Sequence, residues 1–368
     1  MLYTGRTTFT VPNVSPYRLG ATRQSEFMAV MESVTETGTY RSMTGWSAQI
    51  AGYVAAELRL PDSWEVLPTR SGTDALVMAL TMAGVRPGDL VAAPDLAYHA
   101  VGAAISQVGA VPRWIDVGSR TLNLDVADLA AACQAAAVAA VIAVDNYGTP
   151  CDRAGIARVC GEHAIPFVLD ACESLGAAEA QENAGHQADF VALSFSFTKP
   201  IHAAGMGGAL CAPRPVVEDR AGRPELLTYP RRLPELNAAY LALAWPDLPA
   251  VVDKLRLVYD AYCEQLVGTG LRGQDDGGRS NRLHAPFLLP PGSGRSRRDA
   301  LISRLAEVGL EIRPYFESQS RLWDMPSPER SADLAQRVLC LPTGAGFPLE
   351  QLETVTAEVV RGLEARQE

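Results

Sequence analysis

Val138-Ala-Ala-Val-Ile-Ala-Val144 and Pro166-Phe-Val-Leu169, separated by a helix-length stretch at 153–163, decide the fold of this 368-residue chain. Short apolar runs alternating with longer helical stretches are the pattern of a mostly parallel sheet covered by helices. The alternation continues outward from this unit. Strands are expected at 90–93, 111–115, 190–195 and 208–211, and helices at 75–82, 98–108 and 126–135. In the alanine-rich stretch 129–140 the end of a helix and the start of a strand blur together.

Before Ser71 the chain carries one expected helix, 48–58, and reads as an N-terminal arm leading into the sheet. After Cys211 the prolines at 213, 215, 224 and 230 mark a boundary. Two domains are expected: residues 1–225, comprising the arm and a large domain, and residues 226–368, a smaller C-terminal unit. Helices at 233–244, 251–266 and 349–365 are expected in the second part.

Composition excludes several classes. Hydrophobic residues make up 48% and charged residues 20%, which is ordinary globular composition and not that of a disordered chain. The net charge of −10 repels nucleic acid and anionic membranes, so neither is an expected partner. The densest basic stretch, Arg295-Ser-Arg297-Arg298, follows Pro290-Pro291-Gly292 and reads as a solvated loop. Seven scattered cysteines without a C-x-x-C pair suggest free thiols in a reducing cytosol, with no disulfide framework and no metal site. Neither a leader at Met1–Arg6 nor a membrane-spanning run is evident.

Chemistry concentrates in four places. Ser194-Phe-Ser-Phe-Thr-Lys199 ends an apolar strand and runs into Pro200 and the flexible 203–208 stretch. A lysine just beyond a buried strand is partly desolvated, which lowers its pKa and favours the free amine that attacks an aldehyde. Asp170 ends the strand Phe167-Val-Leu-Asp, at the edge where open parallel sheets collect ligands. Such an aspartate serves a pyridinium N–H, a metal, a helix cap or a ribose equally well. Ser71-Gly-Thr-Asp74 opens a helix whose first-turn amides and dipole suit a phosphate, or form a plain N-cap. Tyr98, just past 90–93, can offer a flat ring to a flat cofactor or pack as core.

The ordered set resembles the DegT/DnrJ/StrS aminotransferases, often called sugar aminotransferases, within the fold type I enzymes of pyridoxal 5′-phosphate (PLP). The likeness runs from Gly38 to near the C-terminus. It includes Ser71-Gly-Thr-Asp-Ala-Leu76, Gly84-Val-Arg-Pro-Gly-Asp89, Gly109-Ala-Val-Pro112 with Asp116, and Leu122-Asn-Leu-Asp125. Asn146-Tyr-Gly148 with Asp152, Asp170-Ala-Cys-Glu173, the Ser194-to-Lys199 block, Arg232, Glu235-Leu-Asn-Ala-Ala239 and Arg337-Val-Leu-Cys-Leu-Pro342 complete it.

The resemblance implies an α/β fold: a large domain with a mostly parallel seven-stranded sheet flanked by helices, plus a smaller α+β C-terminal domain. It implies that Lys199 forms a Schiff base with PLP and that Asp170 partners the ring nitrogen. Gly72, Thr73, the Asp74 backbone and Ser194 would hold the phosphate, and Tyr98 would stack on the ring. Glu173 falls where the family has Gln or His beside the ring hydroxyl, and a carboxylate there repels a phenolate unless one of them is protonated. Further departures are Ser196, Asp145 where a histidine is usual, and Pro230 near the position of an asparagine lent across the dimer.

The activity implied is transfer of an amino group from glutamate or glutamine to a keto group of a sugar or related biosynthetic intermediate, by a cytoplasmic homodimer. His99, His202, Arg232 and Arg313 are candidates for substrate contact. The same Lys–Asp–phosphate set also supports a PLP-dependent lyase, decarboxylase or C–C bond-forming enzyme, or a PLP-binding sensor or scaffold without turnover.

Overall fold

The computed structural model of the chain describes residues 10–38, 45–178, 187–220, 231–275 and 277–365. Pro224, Pro230, the N-terminal Met1–Arg6 and the division at 225/226 lie outside the described residues.

Seven strands form the central sheet: β1 (Trp64–Thr69), β2 (Leu90–Pro94), β4 (Val111–Ile115), β5 (Val138–Val144), β6 (Phe167–Asp170), β7 (Phe190–Ser194) and β8 (Gly208–Pro213). They lie in the order β1-β8-β7-β6-β5-β2-β4. Strand β8 pairs antiparallel with both neighbours and the remaining pairs are parallel. Strands β2 and β4 to β7 therefore end along one edge.

Side chains of a strand alternate between its faces, and here both faces are covered. Val141 and Ala143 of β5, Phe167 and Leu169 of β6, and Val191 and Leu193 of β7 join one core cluster. Ala140, Ile142, Val144, Val168, Phe190 and Ala192 join the other. Helices Trp46–Glu57, Val126–Ala135, Arg153–His163 and Glu235–Ala244 cover the first face, and Gly72–Met82 with Ala100–Gln107 cover the second. Two motif aspartates start these helices: Asp125 accepts from Ala127 N and Asp152 from Gly155 N, satisfying amides that no turn precedes. Glu235 does the same from a distance, accepting from the Trp46 and Ser47 amides.

The C-terminal part carries a three-stranded antiparallel sheet of β9 (Arg272–Gly273), β10 (Ala285–Leu288) and β12 (Val338–Leu341). Helices Gly294–Glu307 and Leu352–Glu364 pack beside it in a separate apolar cluster. A two-stranded ladder of β3 (Leu96–Ala97) and β11 (Glu317–Ser318) ties this part to the large sheet.

The strand and helix expectations hold from 75 to 211, with boundaries moved by a few residues. Strand β1 was not foreseen: Trp64-Glu-Val-Leu-Pro-Thr69 carries a glutamate and a proline, tolerable because the strand sits at the sheet edge. Helix Ala21–Thr37, also unforeseen, is mostly exposed and has no sustained apolar stripe. The basic run Arg295–Arg298 is a correction, since it lies inside helix Gly294–Glu307 and not in a solvated loop. Arg298 is buried there, its guanidinium donating to the Ala335 carbonyl and to Asp299.

Asp145 is explained by its partners. It is fully buried after β5, where Arg153 Nη2 (2.5 Å), Ser174 Oγ (2.6 Å) and Cys151 N (2.9 Å) all donate to it. The aspartate thus clamps the segments after β5 and β6 to the start of helix Arg153–His163. Removing one partner of a buried pair leaves the other charge uncompensated. Asp145→Asn and Arg153→Met should each cost about 3–5 kcal/mol in urea denaturation. The double variant should lose less than the sum of the two.

Candidate active site

The strand edge shared by β5, β6 and β7 assembles the site. Asp170 is the last residue of β6, paired with Val144 and Ala192 of its neighbours, and Ser194 is the last residue of β7. Beyond Ser194 the chain folds back sharply, with Lys199 N donating to Ser196 O (2.9 Å) and Ala203 N to Phe195 O (2.9 Å). This turn brings the Lys199 side chain, 11% exposed, over the strand ends.

Glu173 receives it. Lys199 Nζ lies 3.2 Å from Glu173 Oε1, His284 Nε2 lies 3.2 Å from the same oxygen, and Tyr147 N donates to Oε2 (2.9 Å). Burial would raise the Glu173 carboxyl, but the Lys199 charge, His284 and the Tyr147 amide outweigh it and hold the carboxyl well below its usual range. For Lys199 burial is the largest single influence and pulls downward, but Glu173 and the other acidic groups around it together pull harder upward, so the amine is raised. This corrects the expectation of a lowered lysine: desolvation is present, but Glu173 at 3.2 Å and its acidic neighbours together reverse its effect.

Asp170 behaves oppositely. Its carboxyl is pushed up to about 6 by burial, only partly offset by Cys172, whose N–H donates to Oδ1 (3.1 Å), and by Lys199. A buried carboxylate so sparsely bonded favours a cationic N–H partner.

The phosphate candidates form a cradle between elements. A Cβ added to Gly72 would lie 2.6 Å from Cys172 Sγ and 3.0 Å from Ser194 Cβ, so only glycine lets the start of helix Gly72–Met82 press against the ends of β6 and β7. Ser71 Oγ accepts from Asp74 N (3.1 Å), which uses the expected Asp74 amide as a cap and leaves the Gly72 and Thr73 amides as first-turn donors. The Asp74 carboxylate is held by Arg70 (2.6 Å) and by Arg231, so its charge is matched. Tyr98 follows β3 with its ring largely exposed, 4.0 Å from the His99 ring and 6.5 Å from Phe316.

The proposed substrate contacts fare differently. His202 is buried with Nε2 3.0 Å from Tyr17 O and Nδ1 accepting from Ala204 N, so both ring nitrogens serve the backbone. Arg313 is paired with Glu311. Arg232 is exposed and bridges Thr69 at the end of β1. His99 is exposed at the start of helix Ala100–Gln107. Ser196 sits on the Lys199 turn, 3.4 Å from Thr198 Oγ1.

Two participants were missed. His284 precedes β10, and nothing in its local sequence sets it apart from a core histidine. Tyr147 lies in a quoted motif, but its role comes from its left-handed backbone (φ 61°) and its amide, which a sequence does not display.

A buried lysine, a buried carboxylate suited to a ring N–H and an amide cradle meet at one sheet edge of the α/β scaffold. The model of the DegT/DnrJ/EryC1/StrS aminotransferase family matches residues 23–360. The chain belongs to that family and is a PLP-dependent aminotransferase. It is 28% identical over 310 residues to UDP-N-acetyl-3-dehydro-alpha-D-glucosamine 3-aminotransferase of Acidithiobacillus ferrooxidans, covering 80% of this chain and 83% of the relative. It is 27% identical to 3-amino-5-hydroxybenzoate synthase of Amycolatopsis mediterranei, covering 74% and 75%. The PLP-form of Spr1654 from Streptococcus pneumoniae superposes with a TM-score of 0.83 at 18% identity, covering 96% and 99%.

Asp170 carries a sign-definite prediction for the protein without cofactor. Its folded pKa is above the unfolded value of 3.8, so the folded state binds the extra proton and the carboxyl costs nothing below pH 3.8. Stability is lost as pH rises toward about 6, by up to roughly 3 kcal/mol at 1.36 kcal/mol per unit. Asp170→Asn should therefore stabilise the apo-protein against thermal unfolding at pH 8 and make little difference at pH 3.5.

Proposed function

We propose that this aminotransferase carries an amino group from glutamate or glutamine to a keto group on a sugar or a related natural-product intermediate. The observation that carries the reading is the convergence of Lys199 and Asp170 at one strand edge beside the Gly72–Thr73 amides. The A. ferrooxidans relative supports a sugar acceptor, and the A. mediterranei relative supports the wider class.

When bound, PLP supplies the electron sink that lets a proton leave the donor's α-carbon. Lys199 Nζ would be the side-chain nitrogen that holds the cofactor aldehyde and, when free, the base and acid that moves that proton. Asp170 would hold the proton on the ring nitrogen. The first-turn amides of Gly72 and Thr73, with Ser194, would hold the phosphate, and the Tyr98 ring would lie against the cofactor. With Glu173 Oε1 3.2 Å from Nζ, the lysine keeps a proton at hand.

The working form we infer is a cytoplasmic homodimer. The domains we infer are a large one, 1–225, and a small one, 226–368, whose first segment, Leu233 to Leu255, packs against the large sheet. Seven free thiols fit a reducing compartment.

Purified protein loaded with PLP should turn over to pyridoxamine phosphate on addition of glutamate or glutamine, followed by absorbance and mass spectrometry. Lys199→Ala should lower that half-reaction by at least about 100-fold, the scale of a lost general base. It should also leave no borohydride-reducible link to the cofactor. Failure of every amino donor to yield pyridoxamine phosphate sinks the reading.

A further inference from the structure

Glu173 brings a full negative charge whose two oxygens take donors from Lys199, His284 and the Tyr147 amide, where a neutral amide could accept on one oxygen alone. Its side chain is 6% exposed and 3.2 Å from the reacting nitrogen of Lys199. The His284 ring is buried with Nε2 3.2 Å from the same carboxylate oxygen, and Nδ1 has no hydrogen-bond partner among the described residues. Cys172 at the end of β6, Tyr147 after β5, and Tyr315 and Cys340 from the C-terminal part are all raised by burial first, and stay neutral at ordinary pH. Asp170 adds a second, weaker negative charge from β6.

The cage is also braced. Tyr147 and Tyr315 both take left-handed backbone angles (φ 61° and 62°) that side chains rarely adopt. The Tyr315 ring lies 3.9 Å from that of His284, and the Tyr147 ring 4.4 Å from Phe316. The fold thus spends backbone strain on holding a carboxylate and its donors in place.

From this we propose that Glu173 is a fixed counter-ion of the Lys199 nitrogen, holding a proton on Nζ before and after the lysine is linked to PLP. The inference rests on the PLP reading above and deepens it. Linking joins Nζ to the aldehyde carbon and releases one water, and only the unprotonated amine attacks, so a proton must first leave Nζ for solvent. Glu173 therefore slows cofactor capture by the apo-protein at neutral pH. Once the link exists, the same charge keeps its nitrogen protonated to higher pH, which is the form open to attack by a donor amine. His284 is a positioning residue that orients the carboxylate.

Apo-protein and the variants Glu173→Gln and Glu173→Asp are mixed with PLP across pH 6–10, following the absorbance of the lysine link. Glu173→Gln should capture PLP roughly tenfold faster at pH 7 and deprotonate its link about one pH unit lower, one unit being a factor of ten. Glu173→Asp, which withdraws the carboxylate by one methylene, should fall between, and it carries the test if Glu173→Gln does not fold. A purely structural role predicts slower capture and an unmoved titration. Equal capture rates and equal titrations in all three proteins overturn the role of Glu173 alone. A wild-type protein that forms no link sinks the PLP reading, and this inference with it.

Discussion

A carboxylate buried at Glu173 obliges distant parts of the chain to meet. The lysine turn after β7, the amide of Tyr147 after β5 and the imidazole of His284 before β10 all point at it. A buried charge left without such partners costs several kcal/mol, so the folded state that supplies them is favoured over packings that do not. The segment carrying Glu173 is held in turn, because Asn281 Nδ2 donates to the carbonyls of Glu173 and Leu175 (2.7 and 2.8 Å). The active-site charge is thus part of what docks the C-terminal part onto the large sheet.

Two carboxylates three residues apart, one ending β6 and one just beyond it, are shifted in opposite directions. Asp170 and Glu173 are both nearly fully buried, yet Glu173 has converging donors and Asp170 has the Cys172 amide. Environment and not residue type separates them, one held well below the usual carboxylate range and the other pushed up to about 6. That split suits their places, since one faces an amine of the chain and the other is suited to a ring N–H brought by the cofactor. The departure at Asp145 belongs to a different task, as it is absorbed by Arg153 and Ser174 in a structural clamp.

Much of this was legible beforehand. The apolar runs of β5 to β7 need no context, because a strand covered on both faces must be apolar throughout. Asp170 and Lys199 were legible through their places after such runs. Strand β1 and helix Ala21–Thr37 were not, since an edge strand and an exposed helix need no apolar pattern. Arg298 misled because a basic run reads as solvated, while its stem is buried and its guanidinium bonds to a carbonyl 37 residues away.

By itself the sequence determined the layered α/β scaffold, the lysine and aspartate at the sheet edge, and the family to which the chain belongs, because local hydrophobicity and ordered motifs carry that information along the chain. Only the tertiary structure decided the charge state around Lys199. The sequence reading did not single out His284, lowered the lysine by desolvation and offered His202 to the substrate. The folded chain puts His284 on Glu173, raises the lysine and ties His202 to the backbone. Electrostatic effects fall off over a few ångströms, so they depend on neighbours brought from far along the chain, and those neighbours exist only once it has folded.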